Sequence, residues 1–587
     1  MSARRSFLAA AALALALVAG LASASHLEPI EPGPAPPGGP LSHVHCEDGL
    51  AAGFACHHVD LLAHLPLSTF GAVSANDVWG WTDPETGREY TLLGLNTGTA
   101  FVDVTEPDAP VYLGLLRTRT RVSPWRSIKV YADHAFIVSE AAGHGMQVFA
   151  LAHLRAVAAP PVLFTADAFY PGFSNAHNVV IDEASGFAYA VGTNTCAGGL
   201  HMVDIRAPQA PVFAGCYAAD GYTHDAQCVV YFGPDTDHRG REVCFASNED
   251  TLTLVDVTEK SAPRLLSRTG YAGSGYTHQG WLTGDQAHFL VDDEFDELNF
   301  GHGTRTWVWD VSDLDAPVLV GAHDGLTPSI DHNQYVRGSH VFQANYTSGL
   351  RVLRFGDLSR LELAEVAFFD TMPEHDLRGF AGAWGNYPFF ESGIVLVSDI
   401  QRGLFVVEPD LPDCSDGLDN DRDGRIDHPE DRGCESPDGA AELPRNDAWI
   451  DVKPGSADNP IQTFSRGVIP VALLGSPAYD VDQVDGKSLA FGPGAAPLAH
   501  RKCPHREDVN GDGLPDLLSH FRTQETGIAP GDLEACLTGE FADGTPFEGC
   551  DVVRALPACG IGFELVLLAP LLRALRRRGQ VATISSR

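Results

Sequence analysis

A segment ending in valine, aspartate and proline recurs along this chain at a near-constant interval, and a repeat of that length restricts the fold to an array or ring of like units. The clear copies are FVDVTEPDAPV from Phe101, MVDIRAPQAPV from Met202, LVDVTEKSAPR from Leu254 and VWDVSDLDAPV from Val308. They set Asp103, Asp204, Asp256 and Asp310 seven residues before Pro110, Pro211, Pro263 and Pro317. GMQVFAL from Gly145, GLRVLRF from Gly349 and GLFVVEP from Gly403 fill the gaps and bring the total to seven units, spaced by roughly fifty residues.

In the best-defined unit, HNVVID from His177, FAYAVGTN from Phe187, GLHMVDI from Gly199 and PVFAGCY from Pro211 read as four short strands separated by turns. Four antiparallel strands make one blade, so residues 43–410 predict an all-β chain folded as a seven-bladed β-propeller. The last unit runs out after three strands, whereas HVDLLAHLP from His58 is a strand without a blade. It is expected to supply the missing outer strand and close the ring, which hides two sheet edges. The repeated aspartates stand where a third strand enters the turn before the proline, so they are assigned to turn capping.

The chain has 77 acidic and 39 basic residues, a net charge of −38, which repels phosphate backbones and argues against a nucleic-acid partner. Residues 1–24, with Arg4 and Arg5, an apolar run from Phe7 and Ala22-Ser23-Ala24, read as a signal peptide, and the paired arginines approach a twin-arginine signal. Residues 25–42 are a Pro/Gly-rich linker. An exported chain reaches an oxidising compartment, where Cys46–Cys56, Cys196–Cys216, Cys228–Cys244 and Cys414–Cys434 are plausible local disulfides. Cys503, Cys536 and Cys550 leave one odd thiol, and the connectivity among them stays open. No CxxC pair is present, so a zinc site built on cysteine is not expected. Residues 557–587 carry Cys559, a short apolar stretch and Arg576, Arg577 and Arg578, which read as a processed sorting segment; the nine residues after Arg578 depart from that pattern.

Polar residues recur at two phases of the repeat that meet at one mouth of a propeller channel. His177, His224, His278 and His332 open four successive inner strands, followed by Asn178, Asp225, Gln279 and Asn333. The loop phase carries Asn96, Glu140, Asn194, Asn248, Asp292, Asp293, Glu294, Asn345 and Asp399. Imidazoles beside carboxylates can hold a divalent transition metal or relay protons. The plainer alternative is that the same residue satisfies the same backbone groups in each blade. The acidic run DDEFDE from Asp292 reads as a solvated loop or a calcium ligand set. No GxSxG elbow, HExxH helix or phosphate loop occurs.

Beyond the propeller, DNDRDGRIDHPE fits a calcium loop with Asp419, Asp421, Asp423, the Arg425 carbonyl, Asp427 and Glu430 as ligands. Cys414 and Cys434 bracket it, so residues 411–438 read as a calcium staple. A partial loop places Asp508, Asn510, Asp512 and Asp516 at matching positions but ends in Ser519. It lies within residues 447–556, whose alternating runs predict a small β-sandwich.

The segments WRSIKVYADHAFIVSEAAGHGMQVFAL from Trp125, NAHNVVID from Asn175, YTHDAQCVVY from Tyr222 and YTHQGWLT from Tyr276 resemble the choice-of-anchor B family of exported bacterial proteins, whose units are called LVIVD repeats. The resemblance implies a propeller, export and a C-terminal attachment device, and it does not imply an activity. Ser127 stands where the family has aspartate. CSDGLDNDRDGRIDHPEDRGC resembles a calcium-loop module of bacterial surface proteins.

These readings converge on an exported, surface-attached, monomeric platform for an extracellular protein or glycan, with structural calcium and a non-catalytic propeller. A metal-dependent propeller hydrolase or lyase using the histidines is the rival expectation, and a purely structural envelope protein is the third.

Overall fold

The computed structural model describes residues 41–556, apart from short stretches between 421 and 445 and at 457, 476–480, 501–503, 512, 543 and 545. The expected signal peptide, most of the expected linker, Asp421, Asp423, Arg425, Glu430, Asp512, Cys503, Cys559 and Arg576 to Arg578 lie outside the described residues. The chain separates into two compact units, one of Met1–Leu418 with Ser436–Ala440, the other of Asp419–Glu435 with Ala441–Arg587.

The first unit is all-β and, among the described residues, holds seven largely antiparallel sheets, four of them four-stranded and three widened to five or six strands. Their first strands are Ala75–Thr82, Arg126–Tyr131, Asn178–Asp182, Asp225–Val230, Thr277–Leu282, Gln334–Arg337 and Ala383–Tyr387. Each packs against the next in sequence, and Ala383–Tyr387 packs back against Ala75–Thr82, so the contacts form a closed cycle. The cores between neighbouring sheets are filled by the alternate apolar residues of the repeat, such as Phe101, Ile128, Ala135 and Phe149, all wholly buried.

The repeat motif has a local cause that is the same in every clear copy. Asp103, Asp204, Asp256 and Asp310 each accept the backbone N–H two residues on, from Thr105, Arg206, Thr258 and Ser312, at 3.1, 3.1, 3.0 and 2.9 Å. This side-chain turn redirects the chain after the third strand. The following proline stands just before the fourth strand, where its missing N–H costs the ladder nothing. A β-bulge sits one or two residues before each of these aspartates and recurs in the weak copies at Val352/Leu353 and Val406/Val407.

Val59–Leu65 pairs antiparallel with Gly403–Pro409, from Leu404 opposite Leu65 to Pro409 opposite Val59. The N-terminal segment therefore completes the last sheet, as the sequence predicts. It also does more than predicted: Phe54–His57 adds to the outer edge of Leu363–Phe369 and Leu41–Val44 adds outside Val59–Leu65. One segment thus caps two sheets and is pinned by the Cys46–Cys56 disulfide.

Cys196–Cys216 and Cys228–Cys244 form as expected, and Cys414 and Cys434 are both disulfide-bonded. Cys536 and Cys550 pair across two adjacent strands, which resolves the odd-thiol question left by spacing alone. In the second unit, a sheet containing Glu534–Glu540 and Pro546–Val552 and another containing Val468–Leu473 and Asp516–Arg522 share one buried core, with Val471, Phe491, Phe521 and Leu537 fully enclosed.

Candidate functional site

Four imidazoles meet where four first strands begin. Ring centroids lie 4.4 Å apart between His177 and His224, 4.2 Å between His224 and His278, and 4.4 Å between His278 and His332. The arc follows from the strand register, because each histidine holds the same phase of its repeat and neighbouring first strands touch.

Every one of these rings has its Nδ1 engaged by an oxygen acceptor. His177 donates to Glu140 Oε1 at 2.6 Å and His278 to Asp292 Oδ1 at 2.7 Å. His224 donates to the carbonyl of His278 at 3.0 Å, and His332 to the carbonyl of Trp384 at 2.5 Å. The last two bonds join one sheet to the next, so for His224 and His332 the blade-to-blade role is realised. Acceptors at Nδ1 place the proton there, which leaves Nε2 of a neutral ring with a lone pair, the arrangement that orients imidazole for metal binding.

Burial settles the charge of most of the arc. It drives His224 and His278 well below the ordinary histidine range and His332 down to about 3, with neighbouring imidazoles opposing protonation further. His177 is the exception. Burial works against its charge, yet the hydrogen bond and charge of Glu140 prevail and raise it. The arc therefore presents three neutral rings and one stabilised as imidazolium.

Glu294 completes the group. Its Oε1 accepts from Tyr346 Oη at 2.7 Å and lies 3.9 Å from His332 Nε2. One donor atom each from His278, Glu294 and His332 falls within 4.8 Å of the others. Burial raises the Glu294 carboxyl to about 7 and the neighbouring Asp225 carboxyl to about 6.

Two carboxylates expected to face this mouth are engaged by their own loops. Asp293 turns away, accepting from Tyr271 Oη at 2.7 Å and from the N–H of Gly275 and Tyr276, so it locks the preceding loop. Asp399 accepts from the N–H of Gln401 and Arg402 at 2.9 and 2.8 Å and caps its own turn. In both, a loop carboxylate close to free backbone N–H groups satisfies those first, while Asp399 Oδ2 stays buried without a hydrogen bond. Asp225 Oδ1 likewise accepts its neighbour's N–H, from Ala226, at 2.7 Å. Asn96 and Asn194 serve loops through Val73 and Ser174. Of the rings packed on this arc, Trp384 on His332 holds the phase that histidine holds in the other units, Tyr276 on His224 repeats the Tyr-Thr-His that begins at Tyr222, and Tyr346 on His332 was not singled out by sequence.

The opposite ends of the same first strands carry different chemistry. Trp79, Lys129, Val180, Trp281, Tyr387 and Phe389 are among the residues lining a cavity of about 510 Å³. Trp79 lies 5.1 Å from Tyr387 and 5.8 Å from Tyr335, and Lys129 Nζ sits 4.2 Å from the Trp79 ring. Trp79, Lys129, Val180, Trp281, Tyr335 and Tyr387 share one phase of the repeat, each opposite the equivalent position of its second strand, although that phase was not singled out by sequence.

Among the described residues of the calcium loops, Asp508 accepts the N–H groups of Gly511 and Gly513, at 2.8 and 3.1 Å. Asp516 is wholly buried and accepts those of Gly475 and Val509, at 2.9 and 2.7 Å. Gly511 and Gly513 adopt φ of 79° and 87°, the left-handed conformation that lets this short loop wrap around Asp508.

No family model matches the chain, and no curated protein matches it. Solved structures similar to part of it include a protein from Lactobacillus plantarum, at 14% identity over 55% of this chain and 88% of that one, with a TM-score of 0.38. The periplasmic gluconolactonase of Pseudomonas aeruginosa aligns at 11% identity over 50% and 87%, with a TM-score of 0.34. The C-terminal WD40 domain of Sif2 aligns at 11% identity over 63% and 96%, with a TM-score of 0.35.

Proposed function

We propose that the chain is an exported, surface-attached, seven-bladed propeller of the LVIVD type that acts as a binding platform and holds one divalent transition metal at the histidine end of its channel. His278 and His332 supply Nε2 and Glu294 a carboxylate oxygen, while His177 and His224 extend the arc toward a bound extracellular protein or glycan. The observation that carries this reading is the convergence of three donor atoms within 4.8 Å while the second nitrogen of both imidazoles is already held by Asp292 and Trp384. Mixed imidazole and carboxylate donors suit zinc, iron, manganese or copper. The ten disulfide-bonded cysteines favour an oxidising compartment. Among the described residues, no helix is long and apolar enough to cross a membrane. Calcium in the loops from Asp419 and Asp508 and attachment through Cys559 belong to the same proposal, with the second unit a sandwich-like stalk.

A metal-dependent hydrolase or lyase is the second reading, favoured by the donor count: three protein ligands leave a coordination position for water or substrate. Trace-element analysis of the full chain, purified without chelator or affinity metal, tests both. Near one equivalent of metal in the wild type, lost in His278→Ala/His332→Ala, is expected. Equal metal in the two proteins, or none in either, overturns the site and leaves the histidines as sheet-to-sheet structure. With metal present, turnover of esters or glycans by the wild type alone separates the enzyme from the platform.

A further inference from the structure

A few residues from the histidine arc lies a set of three carboxylates that no lysine or arginine among the described residues neutralises. Asp296 and Glu297 are 0% exposed and Asp331 is 1% exposed, and one oxygen of each falls within 4.8 Å of the others. Their protein partners are few and neutral. Trp307 Nε1 donates to Asp296 Oδ2 at 3.0 Å, and the Asp331 N–H donates to Glu297 Oε1 at 3.0 Å. Asp331 accepts from the N–H of Asp293 and of Arg305, at 3.2 and 2.7 Å. Asp296 Oδ1 and Glu297 Oε2 are buried without any hydrogen-bond partner. Among the described residues no lysine or arginine pairs with the three; the sole basic group near is His302, whose Nε2 is itself buried without a hydrogen bond, 3.8 Å from Asp296 Oδ2.

Buried carboxylates without partners are among the costliest features a folded chain can carry, and they persist where a cation or proton neutralises them. A proton shared between Asp296 and Glu297 leaves two charges in the cluster and offers nothing to the third oxygen. A divalent cation neutralises two charges and uses all three oxygens. We propose that Asp296, Glu297 and Asp331 form a second, separate cation site for a hard divalent ion of the calcium class, which takes oxygen donors in preference to imidazole. The proposal does not rest on a metal at the histidines, although the two are linked along the chain: Glu294 lies two residues before Asp296 and His332 directly follows Asp331. The ion ties the short helix Asp296–Phe300 to the loop that presents Asp331.

The test is calcium equilibrium dialysis of the full chain after chelator treatment and desalting, comparing the wild type with Glu297→Gln and Trp307→Phe. The loops at Asp419 and Asp508 are present in all three proteins and cancel in the difference. Wild type should bind one calcium ion more than Glu297→Gln, and His278→Ala/His332→Ala should keep that extra ion. Terbium offers a second readout, because Trp307 bonds directly to Asp296 and should sensitise emission from an ion there. Trp307→Phe should lose that emission while its calcium stoichiometry stays at the wild-type value. Equal calcium in wild type and Glu297→Gln overturns the site. So does indole-sensitised terbium emission unchanged by Trp307→Phe, which decides the matter should Glu297→Gln fail to fold.

Discussion

The first strands of the propeller unit begin in imidazole and carboxylate and end in indole and phenol rings, and the two ends are held in opposite ways. At the polar end every Nδ1 is tied to an oxygen on the same or an adjacent sheet, so each ring orientation is specified by a directional bond. At the aromatic end Trp79, Trp281, Tyr335 and Phe389 pack edge to face or tilted, with centroids 4.9 to 6.3 Å apart. Rings held by packing alone can re-pack around a guest, while rings held by hydrogen bonds keep a donor set fixed. The polar end suits an ion of definite geometry, and the aromatic end suits a ligand of adaptable shape.

The largest effect expected from this contrast is complete loss of bound metal in His278→Ala/His332→Ala with the aromatic end intact, read as unchanged near-ultraviolet circular dichroism beside the metal assay. A collapse of both signals would mean that the polar end is a folding element, and the contrast would fail. Asp292→Asn is a finer cut. It preserves volume but removes the anionic acceptor of His278 Nδ1, so metal affinity should fall by about 10–100-fold without loss of the site. An unchanged affinity in competition with a chelating dye would show that Asp292 does not orient the ring.

How much of this was legible in the sequence follows from what a repeat encodes. A repeat preserves phase, so the capping role of Asp103, Asp204, Asp256 and Asp310, the histidine arc and the closing strand from Val59 could all be placed by alignment of one unit with the next. Phase does not encode loop conformation. Asp293 and Glu294 are adjacent in sequence, yet one caps a loop and the other faces His332, a choice made by which backbone N–H groups the loop leaves free. Asp296 and Glu297, at the start of the short helix Asp296–Phe300, meet Asp331 from a separate loop, which no spacing rule joins. The aromatic end does follow the repeat: Trp79, Trp281, Tyr335 and Tyr387 stand three residues after Asn76, His278, His332 and Trp384, but the same phase carries Lys129, Val180 and Gln227 in the other units, and that mixture hides it from a search for one recurring residue type.

Both ends depend on a closed ring, and His64 makes that closure sensitive to acid. His64 lies on the closing strand, donates from Nε2 to the Arg402 carbonyl at 3.0 Å and stacks on Phe405 at 4.2 Å. Burial lowers it from 6.5 to about 4. The unfolded chain therefore binds a proton more readily, and the contribution to stability, complete above pH 6.5, is lost as pH falls toward about 4. The loss is at most about 3 kcal/mol. His201, His340 and His332 are depressed by the same burial and share the slope. Denaturant midpoints of His64→Phe should thus fall less steeply with acidification than those of the wild type; parallel curves would remove the closing strand from the acid response.

The smallest effect concerns the aromatic end alone. Trp79→Leu keeps an apolar side chain but removes the ring face under Lys129 and the edges against Tyr335 and Tyr387. The Lys129 ammonium retains Asp77 at 3.4 Å and the Ile128 carbonyl at 3.1 Å, so no buried charge is stranded. The cost should be about 1 kcal/mol in urea unfolding, the scale of a cation–π contact with its aromatic neighbours. Metal content should not change, because the hydrogen bonds that orient the imidazoles involve none of these rings. If Trp79→Leu lowers metal affinity as far as Asp292→Asn does, the two ends are coupled through the first strands, and a ligand seated among the aromatic rings would then report its presence to the metal at the other end.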